Sequence, residues 1–76
     1  MAIYVRLDKL ADDGRRATYS FTTLESPSRT LVFDREEDRI WPEDDNRDGI
    51  FRSAAQTVVK AWVERGELPT RLLHQA

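Results

Sequence analysis

Residues 48–65 carry the one long helical pattern in the chain, and that pattern limits what the remainder can be. Ile50, Ala54, Val58, Ala61 and Trp62 recur at spacings that line one face of an α-helix, with Phe51, Ala55 and Val59 widening the stripe. Arg52, Ser53, Gln56, Thr57, Lys60 and Glu64 fall toward the opposite side. A single amphipathic helix must bury its stripe against something. In a chain of 76 residues the only candidates are the short segments before it.

Those segments read as strands. Ile3, Val5 and Leu7 alternate with Tyr4, Arg6 and Asp8, the period of a strand with one buried face. Asp13-Gly14 is a turn dipeptide, because Gly accepts a positive φ and Asp bonds back to nearby backbone. Ala17, Tyr19 and Phe21 then alternate with Arg16, Thr18, Ser20 and Thr22, so the first two strands form a hairpin with a fairly long loop. After a loop holding Pro27, Thr30–Asp34 gives a third strand with Leu31 and Phe33 on one side. Arg35–Asp38 is a polar turn, and Arg39-Ile-Trp41 a short fourth strand stopped by Pro42.

The expected fold is therefore α+β: a four-stranded antiparallel meander covered on one face by one long helix (ββββα). Residues 1–68 form the domain and 69–76 a short apolar tail. Asp45, Asn46 and Asp48 are alternative N-caps, and Gly66 is the natural left-handed residue after the helix. Leu68, Leu72 and Leu73 mark the tail, either one further helical turn starting at Pro69 or a cover for a sheet edge. The expected core is Ile3, Val5, Leu7, Ala17, Tyr19, Phe21, Leu31, Phe33, Ile40, Ile50, Ala54, Val58, Ala61 and Trp62.

Charge is uneven along the chain. The net charge is −2, but Asp34–Asp48 holds eight acids against three arginines, leaving nine bases against six acids elsewhere. Nothing is concentrated enough to form a nucleic-acid footprint. The absence of cysteine excludes disulfides and thiolate ligands. The start has no basic n-region followed by an apolar run, and no segment reaches the roughly 18 apolar residues of a membrane span. The expected location is cytoplasmic.

Catalytic constellations are missing. The one histidine, His74, lies near the end of the sequence, and three glycines cannot build a phosphate-cradling loop. One histidine without cysteine makes no conventional zinc site, so no cofactor and no metal is expected. Asp44-Asp-Asn46-Arg-Asp48-Gly49 matches the opening of a calcium loop, yet Ala55 stands where the closing carboxylate belongs. A capped helix start explains the same residues.

The sheet face away from the helix is the candidate working surface. Tyr4, Arg6, Thr18, Ser20, Val32 and Trp41 would face outward there. Tyr, Trp and Arg are enriched where proteins meet proteins, so docking to a protein partner or homodimerisation is the leading reading. Nucleic-acid binding through Arg6, Arg16 and Tyr4 is the alternative.

Strands followed by a packed helix, over residues 1–65, resembles the small antitoxins of the HicB kind in topology. No motif is shared, so the resemblance implies no site residue. The arginine-rich chain, with Trp41-Pro-Glu-Asp44 after a short strand, is similar in style to small actinobacterial proteins.

Overall fold

The computed structural model describes residues 4–75. Five strands and one helix follow one another as β1 (Tyr4–Asp12), β2 (Arg16–Thr22), β3 (Arg29–Asp34), β4 (Arg39–Pro42), α1 (Gly49–Arg65) and β5 (Arg71–Gln75). All neighbours are antiparallel, in the order β4-β3-β2-β1-β5. The α+β class and the meander are as the sequence predicts. The count is five strands rather than four, because the apolar tail pairs with β1 from Asp8–Arg71 to Tyr4–Gln75. The tail is thus a strand covering its own sheet edge, not a further turn of helix.

β1 also outruns its predicted end. Its register slips between Lys9 and Ala11, where one extra residue forms a bulge. The bulge lets pairing continue to Asp12, opposite Ala17. The hairpin loop is consequently short. Asp13 closes it by accepting from the N–H groups of Arg15 (2.9 Å) and Arg16 (2.7 Å), with Gly14 at φ 92°.

The core lies between sheet and helix. Val5, Leu7, Ala17, Tyr19, Phe21, Leu31 and Phe33 project from the strands, and Phe51, Ala54, Ala55, Val58 and Ala61 from α1. The helix stripe is therefore centred on Phe51, Ala55 and Val58 more than was predicted. Ile40, Ile50 and Trp62, expected in the core, are half-buried against it. Ile3 lies outside the described residues. Leu68 and Leu72 join the core instead, because the chain after α1 folds back under the sheet edge. The Tyr19 hydroxyl donates to the Pro69 carbonyl and ties that return to β2. Aromatic pairs fill the two ends, Phe21 tilted against Phe51 and Phe33 edge-on to Trp62, each pair of centroids 6.3 Å apart.

Asp48 is the N-cap of α1, its carboxylate accepting from the Phe51 N–H at 2.9 Å. Gly66 ends the helix at φ 69°, its N–H donating to the Trp62 carbonyl. No helix among the described residues is long and apolar enough to cross a membrane.

Candidate functional site

α1 leaves the other face of the sheet bare, and strand register decides which side chains meet there. Thr18 lies opposite Ala11 on one side and Val32 on the other, and Val32 lies opposite Trp41. Ala11, Thr18, Val32 and Trp41 therefore form one row across four strands, about 15 Å long at the ordinary strand spacing. The row floors an open groove of about 620 Å³, rimmed by Asp12, Asp13 and Arg16 toward one end and by Glu43 beside Trp41. Two cations lie near the indole: the Arg16 guanidinium carbon is 5.5 Å from the ring centroid and that of Arg39 5.8 Å.

The structure brings Thr18, Val32 and Trp41 together but not the other predicted surface residues. Ser20 is one row along, its hydroxyl donating to the Asp8 carbonyl at 3.4 Å. Arg6 lies opposite Thr22, about 13 Å along the sheet from the Thr18 row. Tyr4 lies opposite Gln75 at the far end of β1. Ala11, Asp12, Asp13, Arg39 and Glu43 are not among the surface residues that the sequence predicts. Ala11 reaches this face only because the bulge reverses the alternation after Lys9.

The three residues of the nucleic-acid reading are likewise dispersed. Arg6 and Arg16 are about 20 Å apart along the strands. Arg6 pairs with Asp8 at 3.3 Å and Arg16 with Asp34 at 2.9 Å.

Several arginines are held by carboxylates of the chain itself. Asp34 is fully shielded although its strand turns it toward the bare face. Arg15 and Arg16 cover it, and it accepts from the N–H groups of Glu36 and Glu37, both at 3.0 Å. Backbone donation from Glu37 and the two guanidiniums hold its carboxyl well below the usual range. Arg35 grips Asp12 with two bonds of 2.9 and 2.7 Å, lies 5.4 Å over the Trp62 ring, and holds Asp12 well below that range too. Neighbouring Lys9 adds a 3.1 Å contact to Asp12 and a 2.8 Å bond to the Leu68 carbonyl.

The calcium-like loop has the same explanation. Its oxygens converge on Arg29: Asp44 at 2.7 and 3.2 Å, Asp48 at 2.9 and 3.0 Å, and the Asn46 carbonyl at 2.6 Å. The guanidinium also lies 4.8 Å over the Phe21 ring, and the Arg29 side chain is only 14% exposed. A cation of the chain itself thus sits where the sequence pattern suggested an ion. Among the described residues no cluster of His, Cys, Asp or Glu is arranged to hold a metal.

These carboxylates are fixed anions. Asp12, Asp13, Asp34, Asp44 and Asp48 are all shifted downward by N–H or guanidinium donors, the opposite of what a general acid at neutral pH requires. No protein-family model, no curated protein and no solved structure matches the chain. The groove geometry is left as the guide to activity.

Proposed function

We propose that this chain is a non-enzymatic cytoplasmic interaction module that engages a protein through the bare sheet face and self-associates as a homodimer. One observation carries the reading. The Ala11–Thr18–Val32–Trp41 row is a semi-apolar strip on the bare face, with an aromatic anchor beside two guanidiniums. Trp and Arg dominate binding energy at protein interfaces when they centre such a strip. The polar rim of Asp12, Asp13 and Glu43 suits the outer ring of an interface that excludes water from its middle. Nucleic-acid binding draws less support, since its arginines are dispersed and paired with carboxylates.

The experiment is partner capture from the native host with the whole chain, comparing wild type with Val32→Asp and Thr18→Arg. Both positions lie on the strip and outside the helix-side core. Loss of the captured protein with unchanged thermal unfolding supports the reading. Capture that survives both substitutions sinks it.

A further inference from the structure

The two edges of the sheet are finished differently. β4 is four residues long, starts at Arg39 and ends at Pro42. A short strand with a charge and a proline discourages further pairing. β5 has neither proline nor bulge and runs in unbroken register along β1. Its one charged residue, Arg71, is bound to Asp8 at 3.0 Å.

One hydrogen bond fixes which backbone groups of this edge face outward. The Lys9 N–H donates to the Thr70 carbonyl at 2.8 Å, so residue 70 turns its backbone toward β1. Facing alternates along an antiparallel strand. Leu72 and His74 therefore face β1, while Arg71, Leu73 and Gln75 turn their N–H and C=O groups away, at the end of the strand order.

We propose that β5 is the self-association edge: two copies pair β5 to β5 about a two-fold axis at Leu73, making one ten-stranded antiparallel sheet. Leu73 then lies opposite Leu73, and Arg71 opposite Gln75. Every outward group of one copy meets an outward group of the other, giving six hydrogen bonds. A one-residue slip sets outward groups against inward ones. A two-residue slip leaves one of the three residues without a partner. The central register places no like charges face to face, and it joins two Leu73 side chains that are each 51% exposed in the single chain. Such an interface is isologous and self-complementary. It is small, so association depends on concentration. The inference gives the homodimer of the proposed function its interface and keeps the Trp41 strip free for another protein.

Sedimentation from micromolar to millimolar concentration, with amide exchange read by NMR, tests it. A monomer–dimer equilibrium is expected. The Arg71, Leu73 and Gln75 amides gain protection of tenfold or more as dimer forms, while Leu72 and His74 stay protected throughout. Leu73→Pro removes an outward N–H but no bond to β1, and Leu73→Lys sets two charges opposite each other. Both variants are expected to remain monomeric, and Leu73→Lys decides the matter if the proline variant unfolds. A chain that stays monomeric throughout overturns the proposal. So does a dimer whose three outward amides exchange freely, and if Val32→Asp dissolves that dimer, the bare face is the dimer site instead. Capture that survives Val32→Asp and Thr18→Arg while the edge dimer stays intact would refute the proposed partner surface alone.

Discussion

Nη1 of Arg29 lies 2.9 and 3.0 Å from the two carboxylate oxygens of Asp48, and the same carboxylate caps α1 through the Phe51 N–H. The first residue of β3 is thereby locked to the first turn of the helix, across a separation of 19 residues. The contact fixes where α1 begins, and with it which helix face meets the sheet.

Arg29→Ala removes this lock and the cation over Phe21, and leaves Asp44 and Asp48 facing each other. Both acids are partly exposed, so water moderates the loss. The expected destabilisation is about 2 kcal/mol, with Arg29→Lys recovering less than half because it cannot form the forked bonds. Urea midpoints at constant slope measure it.

Acid should unfold the protein in a defined window. Asp12, Asp34, Asp44 and Asp48 all have folded pKa values below the unfolded value of 3.8. Their contribution to stability is therefore fully present above that value, and it is lost as pH falls through the lower folded values. Urea midpoints are expected to be nearly level from neutral pH to about 5 and to drop below about 4. Asp34→Asn is expected to lower the neutral-pH midpoint and flatten the drop. An unchanged acid slope would mean that this carboxylate is not held by its donors.

At the alkaline end, burial pushes the Tyr19 phenol up to about 12. Its neutral form is favoured by the fold, so that stabilisation is intact below 10 and lost as pH rises toward 12. Absorbance titration is expected to show one tyrosine ionising near the upper value, a step absent from Tyr19→Phe. Removing the hydroxyl also frees the Pro69 carbonyl, and is expected to cost about 1 kcal/mol.

Adjacent leucines on β5 should respond unequally. Leu72 is buried in the core and Leu73 is half exposed. Leu72→Ala is expected to destabilise the single chain by about 2–3 kcal/mol, and Leu73→Ala by under about 0.5 kcal/mol. Thermal unfolding at low concentration distinguishes the two sites, and equal losses would contradict the assignment of β5.

Gly66→Ala places a side chain at φ 69° with open space around it. The penalty is then conformational, about 1 kcal/mol, and fraying should appear first in the amide exchange of the last turn of α1.

Local pattern sufficed where a segment's neighbours in sequence decide its structure. β2 runs from Arg16 to Thr22 as its alternation predicts, and the helix stops at the predicted glycine. It failed where distant residues decide. Arg71-Leu-Leu-His-Gln75 has two adjacent leucines and no β-branched residue, so nothing local favours a strand. β5 exists because β1 offers it an edge, more than sixty residues back along the chain. The bulge near Leu10 breaks alternation, and the predicted first strand stopped at Asp8 for that reason. Asp34 carries an outward-facing parity and gave no sign of burial, although an aspartate just before a turn is a common acceptor for the N–H groups two and three residues on. The strip was legible only in part: Thr18, Val32 and Trp41 follow from parity, but their alignment depends on register. The acidic lead-in resembled a capped helix start, and the lock to Arg29 became visible only with the loop folded.

The place of β5 beside β1 has one more consequence. Taken across the sheet, β5, β1, β2, β3 and β4 form an uninterrupted up-and-down series, and among the described residues α1 alone departs from it. Gln75 ends directly opposite Tyr4, so a tight turn could join them. A circular permutant opened between α1 and β5 would run as five consecutive hairpin-linked strands followed by a helix. Each sheet contact in it would be local in sequence. By the dependence of folding rate on contact order, that rearranged chain is expected to fold faster than the unpermuted 76-residue chain while reaching the same structure.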